Sequence, residues 1–150
     1  MGNALLLDRV IGETYPSFAT AADVAAFERV PIEDRLAVHS TYAALKLGAA
    51  HDPNAPALQF LATASPDDTP VVVTHGQFFA RVTQVANALH TLGVGPTDVV
   101  SFLLPLIPQA LMTLFGAEAA GIANPVNPLL EPHQLAEILE AAETKVLVTL

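Results

Sequence analysis

Val99-Val100-Ser101-Phe102-Leu103-Leu104-Pro105-Leu106-Ile107-Pro108-Gln109-Ala110-Leu111-Met112-Thr113-Leu114-Phe115-Gly116-Ala117 holds no charged residue across 19 positions. Two readings compete for it. As a single helix it is long enough to span a bilayer. Pro105 and Pro108 would then both interrupt the hydrogen-bond ladder inside lipid. The flanks, Asp98 and Glu118, offer no Lys or Arg to anchor the ends. The second reading divides the stretch into a strand buried on both faces (Val99–Leu104), a proline-marked turn, and a buried helix from Pro108 to Ala120 with proline as its first residue. The prolines favour the second reading, and the fold follows from it.

Working outward, Gly121 ends that helix, and Ile122-Ala123 leads as a short buried strand into the turn Asn124-Pro125-Val126-Asn127-Pro128. Pro132 opens a further helix with an apolar stripe at Leu135, Ile138, Leu139 and Ala142, and Lys145–Leu150 has the composition of another buried strand. Upstream, Thr74 and Gln77 form a capping box, in which each side chain serves the other residue's backbone N–H. Phe78, Val82, Val85, Ala86, Leu89 and Leu92 then recur at helical spacing, and Gly93 is placed to end the helix in a left-handed conformation. Gly116, in mid-helix, implies close packing against a neighbour, because glycine there costs about 1 kcal/mol against alanine.

From Val71 the order is βαβαβαβ, which predicts an α/β fold with a mainly parallel sheet, flanking helices and right-handed crossovers. Before it, Ala57–Leu61 and Val71–Val73 read as a β-hairpin around a turn-rich loop at 63–69. The segment before the hairpin is helical: Thr20 caps a helix running to about Arg29, Val30-Pro31-Ile32 breaks it, residues 33–35 form a solvated patch, and Ser40 caps a helix to Ala50.

Composition narrows the function. The chain has 150 residues, 52% of them hydrophobic, with six Lys and Arg against 15 Asp and Glu for a net charge of −9. A chain this apolar offsets its ordering entropy and folds. Nucleic acid is not an expected partner, because phosphate neutralisation requires clustered cations. Without cysteine there is no disulfide, thiol nucleophile or zinc–thiolate centre. Residues 1–9 lack the basic leader of a signal peptide, and Leu6 stands where a myristoylation pattern requires Ser or Thr. A cytoplasmic protein without a membrane span is expected.

Catalytic motifs are sparse. The only G-x-G, Gly93-Val94-Gly95, lies in a helix-to-strand turn, whereas a phosphate cradle needs a glycine-rich turn from strand to helix. No Walker sequence is present, and no cation occurs between Arg81 and Lys145. The five histidines (39, 51, 75, 90 and 133) show no metal-ligand spacing. Ser17, Ser40, Ser65 and Ser101 lie outside any G-x-S-x-G elbow. Asp67-Asp68 read as turn residues, and Glu137, Glu140 and Glu143 as the wet face of a helix. Catalytic, cofactor-binding and metal residues are therefore expected to be absent. One candidate site residue remains: Asn127 is at the carboxyl end of a parallel strand, where ligands of α/β sheets bind, and is read either as a substrate-pocket margin or as a turn former.

The run from Val72 to Val148 resembles the opening part of an adenylate-forming, AMP-binding enzyme, most closely an acyl-CoA synthetase. The resemblance is carried in order by residues 74–78 (with His75 where the family usually has an aromatic), 86–89, 92–100, 114–117, Ala120-Gly121, 124–128, 135–139 and 145–149, and upstream by Tyr42–Leu61. No one of these motifs is decisive, but the ordered series is fairly specific. It implies that 1–39 is an N-terminal extension and 40–150 part of an AMP-binding domain, an incomplete N-terminal lobe of the adenylate-forming fold. It further implies a ligase that activates a carboxylic or fatty acid with ATP to an acyl-adenylate and then forms a thioester with coenzyme A, with Mg2+ as metal. The family's phosphate loop, nucleotide and magnesium contacts and catalytic lysine lie further along the family's sequence, and none has a counterpart here. As an N-terminal fragment the chain is then expected to be inactive alone, to have the remainder of the synthetase as its partner, and to self-associate through exposed strand edges. The alternative is a non-catalytic α/β domain that binds a partner.

Overall fold

The structure is a computed structural model that describes residues 18–35, 38–63, 65 and 67–150. The readings of residues 1–9 and of Ser17 lie outside the described residues. The chain divides into two units, residues 1–51 and 52–150.

In the first unit, Thr20 caps α1 (Ala21–Phe27). Its Oγ1 accepts from the Asp23 N–H at 3.3 Å while Asp23 Oδ2 accepts from the Thr20 N–H at 2.8 Å. The rings of Phe18 and Phe27 meet edge to face at 4.9 Å. Residues 33–35 belong to one helical turn, α2 (Ile32–Arg35), and Glu33 and Asp34 on it are exposed, as expected of a solvated patch. Glu33 and Asp34 occupy its first turn, where carboxylates suit the positive end of the dipole. Ser40 caps α3 (Thr41–His51) through a 3.1 Å bond from the Ala43 N–H.

The second unit starts with an antiparallel hairpin of β1 (Pro56–Phe60) and β2 (Val71–Thr74), in register Leu58 with Val73 and Phe60 with Val71. Thr74 passes directly into α4 (His75–Thr91), and both bonds of the capping box are made: Gln77 N to Thr74 Oγ1 at 3.3 Å and Thr74 N to Gln77 Oε1 at 3.0 Å. Gly93, at φ +83°, turns the chain out of α4 with open space around it. β3 (Val99–Leu103), α5 (Pro108–Ala120), β4 (Ile122–Pro125), α6 (Pro132–Ala141) and β5 (Thr144–Thr149) follow.

β3, β4 and β5 form a parallel sheet in the order β4-β3-β5. The expected alternation is present, but its first strand, β2, stays in the hairpin and outside this sheet. The connections run to opposite sides of β3, and with the right-handed crossovers that govern parallel strands α5 and α6 fall on opposite faces. On the α5 face, Val100, Ala123, Val146 and Val148 pack with Ala86, Leu89, Val94, Ala117 and Ala120. Fully burying a valine such as Val100 contributes about 1.5–3 kcal/mol.

Gly116 explains how α4 and α5 approach each other. A Cβ built there would lie 2.5 Å from Val85 Cγ1 and 3.2 Å from the Val82 carbonyl oxygen. Phe78 and Phe115 meet edge to face across the same helix pair at 5.8 Å. Gly121 is required for a different reason: a Cβ would stand 2.5 Å from the Asp98 carbonyl and 2.8 Å from that of Gly95.

The sheet departs from the sequence expectation at its edges. β3 is buried through Val100, Ser101 and Phe102 as expected of a central strand. β4 and β5, expected as buried strands, are not: Ile122 is 48% and Leu147 44% exposed, and β5 alternates between half-buried and exposed residues. Both strands are edges, and α6, which packs against β5, has no buried residue. Leu135, Leu139 and Ala142 of the α6 stripe are half-buried, while Ile138 is exposed.

Candidate functional site at the carboxyl edge of the parallel sheet

The parallel strands all end on one side. From β3 the chain leaves toward α5 on one face, and from β4 toward α6 on the other. A crevice between diverging connections of this kind is where open α/β sheets bind ligands. One wall is Leu104-Pro105-Leu106-Ile107, leading into Pro108 at the start of α5; the other is the turn after β4.

That turn is tied down locally. The Val126 N–H bonds to the Phe102 carbonyl at 3.1 Å, and Val126 is buried beneath it. Asn127 is exposed, and its Oδ1 accepts from the Leu129 N–H at 3.0 Å, an Asx turn. The side chain thus shapes the turn at the mouth of the crevice, where the sequence placed the candidate pocket margin.

The crevice is poor in anion-binding chemistry. Residues 52–150 contain two cations, Arg81 and Lys145. Arg81 donates from Nη1 to Gln84 Oε1 at 2.8 Å on α4. Lys145 is at the start of β5, the opposite end of the sheet, and donates to the Gly93 carbonyl and to Asp98 Oδ2, both at 2.7 Å. This bond from Lys145, reinforced by the Gly95 N–H at 2.7 Å, holds the Asp98 carboxyl below its ordinary 3.8. The β3–α5 connection, residues 104–107, contains Pro105 and no glycine, and Pro108 removes an N–H from the first turn of α5. The residues present therefore do not fit a nucleotide triphosphate with its magnesium. Among the described residues no three His, Asp or Glu side chains converge as metal ligands.

The other polar residues weighed from the sequence serve local structure. His90 Nδ1 lies 3.0 Å from the Val94 carbonyl at the end of α4, and the His75 N–H bonds to the Ala55 carbonyl. Asp68 Oδ2 closes the hairpin loop onto Thr63 N and Oγ1 at 2.6 and 2.7 Å. Ser101, in sequence no more than a serine outside a nucleophile elbow, has a larger structural part. It is 0% exposed, accepts from Asn124 Nδ2 at 2.9 Å and lies 2.7 Å from Thr144 Oγ1. Its one sequence signal is a lone hydroxyl within an apolar strand.

The charge-free stretch resolves into β3, a turn and α5, and no helix among the described residues is long and apolar enough to cross a membrane.

Comparison with known proteins agrees with this geometry. The family described as AMP-binding enzyme matches residues 45–150. Marinolic acid–CoA ligase of Pseudoalteromonas sp. (strain SANK 73390) is 31% identical over 129 residues, which cover 86% of this chain and 20% of that protein. Among solved structures, acetoacetyl-CoA synthetase from Streptomyces lividans is 32% identical with a TM-score of 0.64, covering 72% of this chain and 17% of the other. A Mycobacterium tuberculosis fatty acyl CoA synthetase is 28% identical with a TM-score of 0.58, covering 70% and 20%. The chain belongs to the AMP-binding enzyme family; the relatives named here are acyl-CoA synthetases and ligases, and the chain shares the fold of part of their N-terminal region. It spans about a fifth of the length of the relatives it matches.

Proposed function

We propose that this chain is the N-terminal scaffold lobe of a cytoplasmic acyl-CoA synthetase and is inactive alone. The complete polypeptide would join a carboxylic acid, in our reading a fatty acid, to ATP as an acyl-adenylate with release of pyrophosphate. It would then transfer the acyl group to the thiol of coenzyme A with release of AMP. The single observation that carries the scaffold reading is the carboxyl edge of the parallel sheet, which has the position of a ligand site but neither a cation nor a glycine-rich turn. Groups that grip nucleotide, magnesium and coenzyme A would come from the rest of the polypeptide, with the Asn127 turn forming part of the pocket margin.

The proposed partner is that remainder. Support comes from the half-exposed Ile122 and Leu147 on the sheet face opposite α5, since parallel sheets are ordinarily covered on both faces. In its absence the same face and the open β4 and β5 edges would favour self-association.

The test is acid-dependent ATP–pyrophosphate exchange. Residues 1–150 are expected to show none, and the reading frame extended past codon 150 is expected to show it. Exchange catalysed by the 150 residues overturns the scaffold reading.

A further inference from the structure

The carboxyl edge depends on β4 for its position, and β4 is weakly specified by its backbone. It has four residues, pairs among the described residues with β3 alone, and ends in Pro125, which has no N–H to donate. A slip of one residue along β3 would exchange its two faces. Ala123 would leave the apolar layer around Val100, and the Asn124 amide would enter it. The same slip would carry Pro125, Val126 and Asn127 along the strand axis.

A polar contact spanning all three strands opposes that slip. Asn124 on β4 donates to Ser101 on β3, and the Ser101 and Thr144 hydroxyls hydrogen-bond to each other across to β5. The hydroxyl has one proton and two lone pairs, so it accepts the Asn124 amide and remains able to donate to Thr144. Ser101 has no exposed surface, while Asn124 and Thr144 are half-buried, so the central hydroxyl of the contact is shielded from water. Thr144 comes within reach through an irregularity in β5: Val99 pairs with Thr144 but Val100 with Val146, leaving Lys145 as the extra residue. Glu143, immediately before, has φ 50°.

We propose that Ser101 is a positioning residue: its buried hydroxyl clasps Asn124 and Thr144 and thereby sets the height at which the Asn127 turn stands at the carboxyl edge of the sheet. The functional weight of that height rests on the crevice being the ligand side, as proposed above. The clasp is testable without it, because the readout is structural order in residues 1–150 and does not require catalysis.

The experiment is amide hydrogen exchange by NMR on the 150-residue chain. Ser101→Ala is expected to speed exchange at Val126 and Leu129 at least tenfold relative to Leu89 in α4. Thr144→Val, which keeps the shape and removes the hydroxyl, is expected to shift the same turn amides in the same direction. Thr144→Ser, which restores the hydroxyl, is expected to return them to wild-type rates, a rescue that packing alone does not produce. Asn124→Ala combined with Thr144→Val is expected to speed the turn less than the product of the two single effects. Uniform acceleration across α4 and the turn, or Thr144→Ser behaving like Thr144→Val, overturns the proposal. If Ser101→Ala does not fold, Asn124→Ala and the Thr144 pair carry the same comparison, with the same results supporting or overturning it.

Discussion

Lys145 Nζ is 2.7 Å from Asp98 Oδ2 and equally close to the Gly93 carbonyl, so one ammonium joins the start of β5 to the turn that ends α4. Asp98 also accepts from the Gly95 N–H. A carboxylate held this way has a folded-state pKa below its unfolded value. Its contribution is complete above the unfolded pKa and is lost as pH falls through the folded one. Urea unfolding is therefore expected to show a loss of stability beginning near the ordinary 3.8 and deepening below it. Asp98→Asn is expected to flatten that part of the profile. Asp23, also lowered by its bonds with Thr20, titrates in the same window and leaves a residual slope in the variant. Equal slopes in wild type and Asp98→Asn would refute this. Both partners are partly exposed, so added salt is expected to shrink the difference.

The two close-approach glycines are expected to respond differently to the same change. Gly116→Ala presses on the Val85 side chain, and Gly121→Ala on the carbonyls of Asp98 and Gly95. Overpacking of this kind costs about 1–3 kcal/mol. Val85→Gly is expected to relieve Gly116→Ala in a double-mutant cycle, and more so than Val85→Ala, which removes the Cγ1 at 2.5 Å but keeps the Cβ at 2.6 Å. For Gly121→Ala the two nearest obstacles are backbone carbonyls, so trimming the one side chain nearby, Val94 with Cγ1 at 3.0 Å, is expected to give little relief. Additive behaviour of the Val85 and Gly116 changes in chemical denaturation would refute this account.

Thr74 joins the hairpin to α4 and makes both halves of a capping box with Gln77. Thr74→Ala is expected to cost about 0.5–2 kcal/mol in urea unfolding. Thr74→Ser, which keeps the accepting oxygen, is expected to recover most of it.

Asn127 tests the crevice. Asn127→Asp keeps the oxygen that accepts from Leu129, whereas Asn127→Ala removes it at about 0.5–1.5 kcal/mol. In an extended, active polypeptide both changes are expected to raise KM for the acid. A pure turn former would leave Asn127→Asp at the wild-type KM.

What the sequence disclosed divides according to the range of the interaction. The ends of α4 were legible because Thr74, Gln77 and Gly93 act within a few residues of themselves. The division of the charge-free stretch was legible because Pro105 and Pro108 forbid a continuous helix. Gly116 announced a close neighbour without naming Val85. The exposure of β4 and β5 was not legible, since Ile122 and Leu147 have the composition of buried residues and only strand order makes them edges. The Ser101 clasp was equally hidden: Thr144 is 43 positions away and reaches Ser101 through a shift in strand register. The turn at Asn127 was legible because a strand-ending turn is a local signal, while its bond to Leu129 required coordinates.

The separation of the hairpin from the parallel sheet bears on how the chain comes apart. β1 and β2 bond to each other and lean on α4, whereas β3, β4 and β5 form their own ladder. Two ladders that share no rung can melt in sequence, and the two-stranded one is the weaker by itself. Fraying from the 63–69 loop would reach Thr74 before it reached β3, so a protease that nicks this loop would cut β1 and the chain before it from β2, while the sheet beneath α4 and α5 stayed intact.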